Sequence, residues 1–171
     1  MLLQPRLPSK ERLHDENANG RHMSLIERLE LFKFNPDAID KEIRQLFRSN
    51  PGELYSACQL YFRNIHRWMP IMSQKLFYER ITDFSNNERP QFALVLLSIL
   101  LLIHYPRSGT SREPLYEVLR ITFWQSVGGV DLSTIEIVQA GLLIACYEYG
   151  SGMDEQCYKT IGLCASVAMW M

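Results

Sequence analysis

Between Gln91 and His104 the chain reads Phe-Ala-Leu-Val-Leu-Leu-Ser-Ile-Leu-Leu-Leu-Ile, twelve residues broken only by Ser98. A helix over this run has no polar face, so it has to be covered on every side. It is well short of the ~20 residues that cross a bilayer. The run therefore predicts a fully buried helix at the centre of a bundle, and the rest of the chain must supply its cover. With 171 residues, 47% hydrophobic and 22% charged, there is enough chain for one globular domain around it.

The cover is legible as a series of capped amphipathic helices. Residues 1–22 mix Pro, Asn, Gly and charge without apolar periodicity and read as a disordered leader or linker, so the folded domain is expected over 23–171. Ser24-Leu-Ile-Glu27 has capping-box spacing. Asn35-Pro36 and Asn50-Pro51 each open a helix, because asparagine caps and proline at the first position gives up an amide with no intrahelical partner. The first carries Ile39, Ile43, Leu46 and Phe47 on one face, and the second Leu54, Cys58, Tyr61, Phe62 and Ile65.

The His66-Arg-Trp-Met-Pro70 corner stops that helix, since Pro70 disfavours helical geometry at Met69. Trp68 is expected to cover the junction with the next helix, whose face is Leu76, Phe77, Ile81 and Phe84. Beyond the apolar run, Leu115, Val118, Leu119 and Phe123 form another inward face, ended by Gly128-Gly129. Ser133-Thr-Ile-Glu136 is a second capping box, opening a helix through Tyr149. After Gly150-Ser-Gly152, the last helix is expected to turn Cys157, Ile161, Cys164, Ala165 and Ala168 inward, with Gly162, Ala165 and Ala168 letting a neighbour approach closely. It runs to Met171 without a cap and reads as truncated. No segment alternates with period two, so the fold class is all-α, a bundle of about eight helices.

Chemistry is sparse. Cys58, Cys146, Cys157 and Cys164 lack Cys-x-x-Cys spacing and sit among apolar or aromatic neighbours, which reads as buried free thiols without a metal. Cys58 and His66 lie two helical turns apart, beyond the hydrogen-bond reach of a nucleophile and its base, so His66 is expected to be bonded at a helix end. His104, near a helix C-terminus, reads as structural. Tyr55, Tyr61, Phe62, Trp68, Phe77 and Tyr78 read as packing aromatics. No catalytic residue is expected. The formal net charge of −1 provides no field for nucleic acid or an anionic membrane.

The order Tyr61-Phe62, His66, Trp68, Pro70-Ile71 and Phe77 resembles the opening motif of the fungal-specific transcription factor domain, the helical middle homology region of fungal zinc-cluster regulators. Leu115-Tyr116 with Leu119-Arg120, then Thr134-Ile135, Val138-Gln139-Ala140, Leu142-Leu143, Ala145 and Tyr147, are similar to that family's central helix pair. Gly162-Leu-Cys164 with Ala168 resembles the start of its Gly-x-Ala-x-Arg-Met-Ala helix. The likeness spans roughly residues 53–171 and the N-terminal portion of the family domain. Lys75-Leu76 stand where the family has Pro-Thr, which shifts that helix start to a Ser73 cap. Cys164 and Ser166 replace its usual alanine and arginine.

The resemblance implies a regulatory domain in the nucleus whose motif residues are structural. Its partners would be proteins of the transcription machinery or a small-molecule effector, with a homodimer as one arrangement open to it. Zinc belongs to a six-cysteine cluster that this sequence lacks, so neither a cofactor nor direct DNA binding is expected of the chain, nor a membrane. The alternatives are a helical interaction adaptor unrelated to transcription and an all-α enzyme.

Overall fold

The computed structural model describes residues 41, 44, 45, 48, 49, 51–84, 90–103, 112–128 and 134–171. Among the described residues there is no strand, and six helices have defined bounds: α1 Pro51–Asn64, α2 Gln74–Phe84, α3 Pro90–Ile103, α4 Glu113–Gly128, α5 Ile135–Gly150 and α6 Asp154–Met169. Lys41, Arg44, Gln45, Arg48 and Ser49 are also helical. The leader, the caps at Ser24, Asn35 and Asn50, His104, Gly129 and Ser133 lie outside the described residues.

Pro51 opens α1, Glu53 lies in its first turn and Arg63 in its last, each complementing the helix dipole. Its buried stripe is Leu54, Cys58, Tyr61 and Phe62, with Ile65 half-buried just beyond it. The helix ends at Asn64, well before Pro70. The corner is closed by backbone bonds instead: the amides of Ile65 and His66 both donate to the Tyr61 carbonyl, and those of Trp68 and Met69 both donate to Ile65. α2 starts at a Ser73 cap, whose Oγ accepts a long 3.5 Å bond from the Leu76 amide.

Every residue of α3 from Phe92 to Leu101 is buried, and the Ser98 hydroxyl is satisfied by donating to the Leu94 carbonyl at 2.8 Å. α3 packs on α1, α4 and α5, while α5 packs on α3, α4 and α6. The inward face of α4 is Leu115, Tyr116, Val118, Leu119 and Phe123. Thr134 caps α5 in extended backbone without a side-chain bond, and Ser133, the hydroxyl of the capping box read at Ser133–Glu136, lies outside the described residues. Glu136 is instead paired with Arg80 of α2.

The turn from α5 to α6 is tight because Gly152 adopts φ +73°, a left-handed conformation suited to glycine. The Met153 amide then donates back to the Glu148 carbonyl at 2.9 Å. Asp154 and Glu155 occupy the first turn of α6.

Three expectations about packing are corrected. Trp68 is 65% exposed and covers no junction, and Leu76 is exposed on the outer side of α2. In α6 the buried face is Cys157, Thr160, Cys164 and Val167, leaving Ile161, Gly162, Ala165 and Ala168 outside. The glycine that lets helices approach is Gly141 in α5: a Cβ there would lie 2.3 Å from the Cys164 sulfur and 2.7 Å from the Phe123 ring. A Cβ on Gly162 would meet nothing within 4 Å. The notch at Gly141 in α5 receives the Cys164 side of α6.

Candidate functional site

Two regions gather polar groups around the core, and α5 takes part in both. The first is the corner after α1. Phe62 is its hinge, with edge-on ring contacts to Tyr61 at 5.1 Å, His66 at 5.0 Å and Phe77 at 5.2 Å. Phe77 passes the contact on to Phe92 of α3 at 5.4 Å, and Tyr55 stacks on Tyr78. These aromatic rings contact one another, with Trp68 outside the group. His66 is half-buried and its Nδ1 has no hydrogen-bond partner, so the expected bond at the helix end is not made through that nitrogen. The Tyr61 hydroxyl is likewise buried and unpartnered.

Burial pushes the Cys58 thiol up to about 12, which keeps it protonated and removes it as a nucleophile at neutral pH. Burial, and then the nearby Cys146, push Tyr61 up to about 12 as well.

Pro70 is exposed, Ile71 half-buried and Phe77 buried. The Gln139 side chain of α5 donates from Nε2 to the Ile71 carbonyl at 3.0 Å, tying the corner to a helix 68 positions away. Ala140, next to it, is buried. Together with the Arg80–Glu136 ion pair, this bond frames a small cavity of about 140 Å³ lined in part by Met72, Phe77, Phe92 and Ile135. Gly162 and Ala168, the remaining motif residues, lie on the exposed face of α6 and take part in neither region.

The second region is a cleft of about 460 Å³ between α4 and the α5–α6 turn, lined by Glu113, Tyr116, Glu117, Arg120, Tyr147, Ser151, Met153 and Gln156. The Tyr116 and Tyr147 rings lie 5.3 Å apart, and the Arg112 guanidinium sits 5.9 Å from the centre of the Tyr147 ring. Arg120 donates to Glu117 at 2.9 Å. The Tyr116 hydroxyl donates at 2.8 Å to Oε1 of Glu148, a fully buried carboxylate. Burial, then that bond, raise the Tyr116 hydroxyl pKa well above its ordinary value. Glu148 Oε2 has no partner.

Sequence reading missed Glu148 and its surroundings. The signal was present: counted from Ile137, Gly141 and Ile144, Glu148 falls on the inward register of an otherwise apolar helix. No cluster of three or more metal-ligating residues occurs among the described residues. Among them, no helix is long and apolar enough to cross a membrane. The four cysteines are free, three buried and Cys146 half-buried.

Comparison with known proteins places this arrangement. The fungal specific transcription factor domain matches residues 58–169, from the middle of α1 to the end of α6. Transcription factor BOA15 of Botryotinia fuckeliana (strain B05.10) is 33% identical over 108 residues, covering 61% of this chain. The chain spans 58% of the length of that relative. No solved structure matches. The match takes in the corner, Gln139 and the cleft together, and the chain belongs to the family of fungal transcription factors that carry this domain.

Proposed function

We propose that the chain acts as the regulatory, middle homology domain of a zinc-cluster-type transcription factor, working in the nucleus by protein contacts or by sensing an effector. The observation that carries this reading is the family match across residues 58–169, in a fold whose polar groups are arranged for holding helices together and not for catalysis. Residues 23–171 make up the domain, built around α3 as its central helix, and the motif residues at the corner and Gln139 are structural. The chain needs no cofactor and is not an enzyme. Reading of DNA is left to another component, because four cysteines that are separated and mostly buried do not form a six-cysteine cluster. An effector acts here only through different affinities for two arrangements of the bundle.

The test tethers the chain to a heterologous DNA-binding domain in a fungal cell and reads a reporter downstream of the matching site. A changed reporter level that depends on the tether is expected. An unchanged reporter, with the fusion present and folded, overturns the regulatory reading. In parallel, the purified chain is titrated with DNA at low and moderate salt, and only weak, salt-labile binding is expected. Tight, sequence-dependent binding would place a DNA reader in this chain and overturn that part of the proposal.

A further inference from the structure

Cys157, Thr160, Cys164 and Val167 bury one side of α6, and α5 lies against that side. A second stripe runs along the outer side: Tyr158, Ile161, Gly162, Ala165, Ala168 and Met169, each three or four positions from the next in its row. All six are exposed. None carries a charge, and the Tyr158 hydroxyl is their one polar side-chain group. The charged residues of α6 stand off the stripe or ahead of it. Glu155 and Lys159 pair with each other at 2.6 Å, and Asp154 occupies the first turn. A helix with two apolar stripes has two contacts to make, and the bundle fills one of them.

The order of sizes along the outer stripe selects a second copy of the same helix. Tyr158, Gly162, Ala165 and Met169 run large, small, small, large in steps of 4, 3 and 4. That order reads the same in both directions about the midpoint between positions 163 and 164. Two copies laid antiparallel about a twofold axis there set Gly162 against the partner's Ala165, and Tyr158 against the partner's Met169. The small pair lets the backbones approach, since a Cβ on Gly162 would meet nothing within 4 Å. The large pair places a thioether beside a tyrosine ring at each end. No like charges are brought together along the stripe.

The area is in proportion. Tyr158 is 84% exposed, Met169 78% and Ile161 48%. At about 200 Å² for each large side chain, and with the three small residues added, the stripe presents about 500 Å². A twofold pair therefore hides about 1,000 Å² in all, the low end for specific interfaces, which suits a reversible dimer.

We propose that the outer face of α6 is a homodimer interface, in which two copies of the helix pack antiparallel about a twofold axis at its middle. The close approach that Gly162, Ala165 and Ala168 permit is made to a second molecule and not to the bundle. This interface stands apart from the regulatory reading, and the tethered reporter does not bear on it.

The test is sedimentation equilibrium of the full chain between about 1 µM and about 200 µM, a range that covers micromolar affinities. The parent should pass from monomer to dimer without larger species. Ala165→Arg sets like charges beside the axis and should weaken the dimer at least tenfold; the site is exposed, so the fold is kept, as circular dichroism checks. Gln59→Arg, on the exposed side of α1, is the control and should leave association unchanged. Tyr158→Glu and Met169→Lys should each weaken the dimer. Both together on one chain should restore it, because antiparallel pairing sets each new acid against a new base. A double variant weaker than either single one would mean parallel pairing and overturn the arrangement. Dimerisation indifferent to Ala165→Arg would overturn the interface. So would a parent that stays monomeric throughout, an outcome that leaves this face to a helix of a different protein.

Discussion

Replacing Gly141 by alanine inserts a methyl group where α4, α5 and α6 come closest. The new carbon would sit 2.3 Å from the Cys164 sulfur and 2.7 Å from two carbons of the Phe123 ring, and real Cβ contacts are essentially never below 3.0 Å. Neither neighbour can swing away freely, because Phe123 and Cys164 are both in the core. Overpacking of this kind costs up to ~3 kcal/mol. Alanine recovers ~1 kcal/mol of helix propensity relative to glycine, which leaves a net loss of about 2 kcal/mol. For a chain of this size each kcal/mol moves the melting temperature by roughly 2–4 °C, so Gly141→Ala should melt about 4–8 °C lower. Gly162→Ala is the control, since nothing lies within 4 Å of its Cβ and it should be neutral or gain up to ~1 kcal/mol. Adding Cys164→Ala to Gly141→Ala removes the sulfur and should give a coupling of at least ~0.5 kcal/mol in a double-mutant cycle. Thermal or urea melts of the parent, the single variants Gly141→Ala, Cys164→Ala and Gly162→Ala, and the double variant supply the comparison. A Gly141→Ala protein as stable as the parent, or stabilised like Gly162→Ala, would refute the notch and with it the placement of α6 on α5.

Trp68→Ala should change stability by less than ~0.5 kcal/mol in urea titrations, because the ring is mostly exposed; a loss of ~3 kcal/mol would mean that it is buried after all. Gln139→Ala removes the donor to the Ile71 carbonyl and should cost ~1 kcal/mol, with faster amide exchange at the corner following α1; unchanged exchange there would show that the tie does not hold the corner. Burial raises Cys58 and Tyr61 to about 12 and Cys164 to about 11, so the folded chain keeps protons that the unfolded chain releases at lower pH. Stability from these groups is therefore complete below about pH 9 and declines as pH rises through about 11–12, which urea midpoints at about pH 8 and about pH 10.5 would register; equal midpoints would contradict their burial. In the native state an alkylating probe should reach the half-buried Cys146 before Cys58 or Cys164, as mass spectrometry of timed samples can check.

What could be read from the sequence depended on whether one helix carried its own instructions. The stripe Leu54, Cys58, Tyr61 and Phe62 was legible because the opposite face of α1 is polar, so only one side could be buried. The run from Phe92 to Leu101 was legible because it has no polar side to expose. α6 was legible in part: Cys157 and Cys164 were read inward and are buried, while Ile161, Ala165 and Ala168, read with them, are exposed, because apolar or small residues occupy both faces. Trp68 was misplaced because size was taken as a reason for burial, whereas the backbone bonds of the 65–69 turn leave its ring in solvent. Of the candidate site, the aromatic corner was visible as a motif, but its bond to Gln139 spans 68 positions and is a property of the folded chain alone. The cleft went unseen because Glu148, which stands behind Tyr116 at its wall, looked like one acid on an otherwise unremarked helix.

The single helix α5 gives the two polar regions a mechanical relation. Gln139 and Glu148 are nine positions apart, which at 3.6 residues per turn sets them on opposite sides of the rod and about 13 Å apart along it. A small roll of α5 about its own axis that carries Glu148 deeper beneath Tyr116 swings Gln139 the other way across the corner, loading or releasing its grip on the Ile71 carbonyl. Because the two groups project from opposite sides of one rod, a rotation of α5 about its axis has the same sense at both ends yet displaces Glu148 and Gln139 in opposite directions across the bundle.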